Sequence, residues 1–187
     1  MHKITLRAIF YLNFQYVLIM ETSLSMDIDE QWKWINKAAQ KFIRYDLPVN
    51  SNLAIVTFSD TAKVEHNMVQ VHSDQVRARL ADTIPDKYHL SKSDKRCVKC
   101  AVKKVLEKVV SDQKTGTRII LVTQGGPESF SIDDQTELRS QIVRHSIKMS
   151  TIIIPGKGSI SSLIFDFALR YLGSFGLKLI LDFLFFY

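Results

Sequence analysis

The sequence predicts an α/β fold: a doubly wound, mostly parallel sheet with one antiparallel edge strand, in three α/β/α layers. Three observations predict it. Four short runs are apolar for most of their length, at residues 16–20 (YVLIM), 53–58 (LAIVTF), 118–123 (RIILVT) and 149–154 (MSTIII). Such runs mark strands covered on both faces, where the polar alternation of a half-exposed strand is lost. Segments with apolar residues at helical spacing separate them, which is the strand–helix alternation of a parallel sheet. Polar residues gather where the first and third runs end, as ETSLS and QGG, and open α/β sheets bind ligands outside those carboxyl ends.

Each element has its own reason. The first strand, 16–20, stops abruptly at a carboxylate, Glu21, followed by Ser23, Ser25 and the acids Asp27, Asp29 and Glu30. Ile35, Ala38, Ala39, Phe42 and Ile43 then recur at helical spacing, with Trp32 extending the stripe, so 30–45 is predicted as a helix. Leu47-Pro48 ends it, because proline disfavours helix in the residue before it. Residues 53–58 form the second strand. The more polar run 63–71 (KVEHNMVQV) is the edge strand, antiparallel because its short connection leaves no room for a parallel crossover. A short helix over 74–83 precedes a polar loop, 85–95. Val98, Ala101, Val102, Val105 and Val109 line one side of a helix over 96–111. After the Thr115-Gly116 turn come the strand 118–123, a loop at 124–129, a helix over 133–145 and the strand 149–154.

Length and composition bound the reading. With 187 residues the chain is long enough for one domain with a proper core. We expect that core over 14–156, and a last helix and edge strand within 157–187. The formal charge of +6 favours acidic partners but does not bear on fold. His2, Lys3 and Arg7 ahead of an apolar stretch loosely resemble a signal peptide. Asn13 and Gln15 interrupt the stretch, and the strand is the preferred reading. Asp166, Arg170, Lys178 and Asp182 break the apolar C-terminal third, so no membrane span of about 18–20 uncharged residues is expected.

These residues together resemble a von Willebrand factor type A domain, and most of all that of the calcium-activated chloride channel regulator family. ETSLSM, NKAAQKFI, LAIVTFSDTAKV, RIILVTQGGPES and STIIIPG carry the resemblance, in this order and over roughly 16–156. It implies a metal-ion-dependent adhesion site (MIDAS), an octahedral magnesium or manganese site that three loops feed and a partner's acidic side chain completes. In such a site the first loop reads Asp-x-Ser-x-Ser, the second supplies a threonine and the third an aspartate. Here Ser23 and Ser25 match, Glu21 stands at the first aspartate position and Leu24 where glycine is common. Ser93 or Asp94 lies nearest the threonine position, and Gln124 takes the third-loop aspartate position.

The departures change the chemistry. Magnesium wants six oxygens at about 2.0–2.1 Å in near-ideal geometry. Glu21 is one methylene too long, and Gln124 offers a carbonyl oxygen without charge. Lys92, Lys95 and Arg96 oppose a cation. The metal set expected from the resemblance is thus a degenerate one, Glu21, Ser23, Ser25, Asp94 and Gln124, with magnesium or manganese held weakly. The competing use of Ser23 and Ser25 is to cap the segment that follows.

Other chemistry finds little support. Cys97-x-x-Cys100 lacks the two further ligands of a zinc site, and both cysteines are expected as ordinary buried residues. There is no His-Glu-x-x-His and no Gly-x-Ser-x-Gly. The lysines around 95–108 lack interleaved aromatics, so they read as a solvated helix face and not as a nucleic-acid platform. The expected function is a non-catalytic, adhesion-type module that binds a protein through its top loops, at Ser23, Leu24, Ser25, Ser93, Gly125 and Gly126. The resemblance implies an extracellular or cell-surface setting within a larger chain that modulates chloride conductance. The alternative is a phosphoryl- or nucleotide-handling enzyme on a similar sheet. That enzyme would need a glycine-rich first turn or paired strand-end aspartates.

Overall fold

The computed structural model describes residues 14–26, 31–86, 90–110, 116–124 and 132–154. Five strands form one sheet in the order β3-β2-β1-β4-β5. These are β1 (Gln15–Glu21), β2 (Asn52–Phe58), β3 (Ala62–Gln70), β4 (Thr117–Thr123) and β5 (Lys148–Ile153). β1 is central and parallel to both β2 and β4, β4 is parallel to β5, and β3 alone is antiparallel, against β2. The mostly parallel sheet is the one the apolar runs predict, and the antiparallel edge is the one expected from the polar run 63–71 and its short connection.

The period of two along each strand divides the core between the faces. Tyr16, Leu18 and Met20 of β1, with Leu53 and Ile55 of β2, pack under α1 (Gln31–Lys41) and α2 (Asp74–Asp82) through Trp32, Ala39, Val76 and Leu80. Val17 and Ile19, with Ala54, Val56 and Phe58, meet α3 (Val98–Lys108) and α4 (Ile132–Arg144) through Val98, Val102, Val105 and Leu138. All seven residues of β1 are buried. Each large aliphatic side chain so buried contributes roughly 1.5–3 kcal/mol gross. β3 is half-exposed along its length, as expected of an edge.

Three local departures have physical causes. The first helix is predicted to run to Tyr45, but its final turn, Phe42–Asp46, widens to a π-helical turn closed by Leu47 N–H donating to the Phe42 carbonyl at 2.8 Å. Leu47 is already extended ahead of Pro48, and Arg77 takes over the freed carbonyls, donating to Ile43 O at 2.9 Å and Leu47 O at 2.7 Å. The third helix starts at Val98 and not at Arg96, because Cys97 caps it, its sulfur accepting from Cys100 N–H. Cys97 and Cys100 are joined as a disulfide, which corrects the expectation of two ordinary core thiols. Gly116 enters β4 with φ of +100°, a left-handed conformation open to glycine and strained for other residues. The last helix and strand expected within 157–187 lie outside the described residues, as do Gly125 and Gly126.

Candidate functional site

The site grows from the end of the central strand. Glu21 closes β1 opposite Phe58 of β2. The chain stays pinned one residue further, since Thr22 donates both its N–H (2.7 Å) and its hydroxyl (3.1 Å) to the Phe58 carbonyl. A short 3₁₀ turn follows over 24–26, with Met26 N–H donating to Ser23 O at 3.0 Å. Met26 is fully buried and anchors the turn, while Leu24 at its apex is 47% exposed.

Glu21 has no exposed surface, so its charge must be met inside the protein. Three donors and one cation meet it. The Thr123 hydroxyl donates to Oε2 at 2.5 Å, and the Gln124 backbone N–H donates to the same oxygen at 2.8 Å. The Ser23 hydroxyl donates to Oε1. Arg96 Nε lies 3.1 Å from Oε1, a contact of charges and not an aligned hydrogen bond. Parallel pairing of β1 with β4, which sets Met20 beside Val122, brings Thr123 to the carboxylate.

Arg96 also donates through Nη2 to Ser25 Oγ at 2.8 Å, and Ser25 Oγ lies 2.8 Å from Ser23 Oγ. Ser23 spends its proton on Glu21, so Ser25 is the donor to Ser23. The result is a ring: Arg96 to Ser25, Ser25 to Ser23, Ser23 to Glu21, closed by the charge contact of Glu21 with Arg96. One negative and one positive charge cancel within it.

The second loop is stitched to the first by backbone. Ser91 N–H donates to Thr22 O at 2.8 Å, and Leu24 N–H donates to Ser93 O at 3.0 Å. Further on, Cys97 N–H donates to Ser59 O at 2.6 Å at the end of β2. Arg96 is thereby held between two fixed points. A polar groove of about 540 Å³ opens beside the loops, lined among others by Thr22, Thr57, Glu65, Asp86 and Ser91.

The structure brings together Glu21, Ser23, Ser25 and Gln124, with Ser93 adjacent through its carbonyl. Asp94 is exposed and outside this network. Gln124 faces the first loop through donors: its backbone N–H goes to Glu21 and its side-chain Nε2 to Ser25 O at 3.0 Å. Its use is to hold the loop, and the serines serve the carboxylate. The set therefore does not fit a divalent ion. Among the described residues one carboxylate, Glu21, lies in this cluster, both of its oxygens already accept, and a guanidinium stands against it. Among the described residues no group of three or more His, Cys, Asp or Glu is placed to hold a metal. Two unit charges 4 Å apart interact by about 4 kcal/mol at the effective dielectric of a protein surface, and a divalent ion would double its repulsion from Arg96. In the sequence Arg96 stands out only as a positive charge near the second loop, and Thr123 carries no local mark of a role at the site. Strand register was the signal that could have found Thr123.

Comparison with known proteins agrees with this architecture. A family model described as von Willebrand factor type A domain matches residues 17–162. Calcium-activated chloride channel regulator 1 from Bos taurus is 24% identical over 133 residues, which cover 71% of this chain and 14% of that protein. The Homo sapiens protein of the same name is 26% identical over 114 residues, covering 61% of this chain and 12% of it. The chain thus spans about one seventh of the length of these relatives. Among solved structures, proximal thread matrix protein 1 from the mussel byssus, with its MIDAS motif occupied by zinc, superposes with a TM-score of 0.66 at 16% identity, covering 83% of this chain and 39% of that one. A von Willebrand factor type A protein from Catenulispora acidiphila gives 0.62 at 16% identity, over 74% and 32%. At such identities the likeness is one of fold.

Proposed function

This chain belongs to the von Willebrand factor type A domain family, and from that premise we propose that it is a non-catalytic, adhesion-type module that binds a protein through the loops above its sheet. Similarity to the chloride channel regulators supports an interaction role of this kind. In this reading the metal-ion-dependent adhesion site is degenerate, and magnesium or manganese adds little to binding. The chain acts as one part of a larger, extracellular or cell-surface protein. Among the described residues no helix is long and apolar enough to cross a membrane.

The observation that carries the proposal is Leu24. It is a large apolar side chain, 47% exposed, at the apex of a turn whose flanks are pinned by Met26 and by Ser93. An apolar side chain held in place at the surface of the loops offers a partner a contact that needs little ordering on binding. The phosphoryl-transfer alternative draws no support here. Both oxygens of Glu21 are taken by internal donors, and the first turn has no glycine.

A photo-crosslinking amino acid placed at Leu24, and separately at Val143, tests this reading. Val143 is 69% exposed on α4, away from the loops. Cells displaying the chain should give a discrete crosslinked protein from position 24 and none from position 143. Equal products from both positions, or none from 24, would overturn the assignment of the binding face.

A further inference from the structure

We propose that the Arg96 guanidinium is the resident cation of this site. It stands where the fold family places a divalent ion, keeps the top face assembled without metal, and masks a latent metal site. The inference concerns what fills the site, and it stands or falls apart from the identity of any partner.

Geometry supports it first. Arg96 is engaged by Glu21 Oε1 at 3.1 Å and Ser25 Oγ at 2.8 Å, and Ser23 Oγ bridges those two oxygens. Of the three oxygen-bearing residues of the first loop, Glu21 and Ser25 meet the guanidinium directly, and Ser23 joins those two to each other. Placement supports it next. The loop carrying Arg96 is tied to the first loop by the bonds of Ser91 to Thr22 and of Leu24 to Ser93, and to β2 by Cys97 to Ser59. The Cys97–Cys100 disulfide fixes the residue that follows Arg96. The main chain of Arg96 is therefore fixed within side-chain reach of the carboxylate, and the contacts with Glu21 and Ser25 hold the guanidinium there.

Chemistry supports it last. Guanidinium stays charged at any physiological pH and is more weakly hydrated than an ammonium group. A planar array of donors suits oxygen acceptors grouped on one side. Unlike a bound metal, it is covalently tethered, so neither chelation nor dilution empties the site. Gln124 follows the same logic. With a cation supplied by the chain, a second carboxylate at that position is not required, and the amide is free to donate to Ser25 O.

The test is calorimetric titration of manganese into four proteins: the unaltered chain, Gln124→Asp, Arg96→Ser, and the double variant Arg96→Ser/Gln124→Asp. The unaltered chain and Gln124→Asp should show no binding heat up to millimolar manganese, since Arg96 still fills the site. The double variant should bind at least tenfold more tightly than either. Where removal of Arg96 unfolds the chain in EDTA, manganese should restore native circular dichroism to the double variant. Micromolar manganese binding by the unaltered chain, or equal affinity of Gln124→Asp and the double variant, would overturn the proposal. So would a double variant that manganese neither binds nor refolds.

Discussion

Two arginines are tied into opposite ends of this sheet, and they do different work. Arg77 lies on the side where β2 begins. It is buried and donates to the carbonyls of Ile43 and Leu47, while its nearest acid, Asp74, is exposed at 3.9 Å. Arg96 lies where β1 ends and meets a wholly buried carboxylate. The first satisfies orphaned backbone acceptors at a helix end. The second cancels a charge. At the end where parallel strands begin, an arginine secures the fold. At the end where they stop, an arginine is paired with the carboxylate that closes the central strand.

Glu21→Leu should have the largest effect. It removes the acceptor of Thr123, Gln124 N–H and Ser23 together and leaves the Arg96 charge without its carboxylate. Breaking a buried ion pair from one side costs about 3–5 kcal/mol. Urea unfolding should show a loss in that range. A loss below about 1 kcal/mol would mean the donors find water, and that the site is less closed than described.

Arg77→Met comes second. It keeps most of the volume but strips two carbonyls of a charged donor. Unsatisfied buried acceptors cost about 1–3 kcal/mol, so a loss of about 2 kcal/mol is expected, again by urea unfolding. The change should leave the loops above the sheet untouched, and crosslinking from position 24 should be unaltered. If crosslinking fails while the protein remains folded, the two ends are coupled and the comparison breaks.

Much of the fold was legible in the sequence. Strands buried on both faces write themselves as apolar runs, and 16–20, 53–58, 118–123 and 149–154 all fall on strands of the sheet. The polar run 63–71 was recognisable as an edge for the opposite reason. Helix ends were less legible. The π-helical turn after α1 depends on Arg77 reaching from α2, and no local pattern encodes that. Cys97 and Cys100 fit a buried pair as well as a bonded one, because i and i+3 on a helix face are neighbours either way. At the site, Glu21, Ser23 and Ser25 stood out because a carboxylate and alternating hydroxyls end an apolar strand. Their use did not. Arg96 is far from Glu21 in the chain, and the backbone bonds of Ser91, Leu24 and Cys97 bring it there. Gln124 read as a weak ligand because its type was visible and the direction of its amide was not.

If Arg96 neutralises Glu21, the two side chains are energetically coupled, and a double-mutant cycle measures that coupling. Unfolding free energies of the unaltered chain, Glu21→Leu, Arg96→Met and the double variant isolate the pairwise term. Replacing both members of a buried pair by apolar groups is far less costly than removing one. The double variant should therefore lose less stability than the sum of the singles, by about 2 kcal/mol. Additivity within about 0.5 kcal/mol, the behaviour of independent sites, would show that Arg96 does not neutralise Glu21.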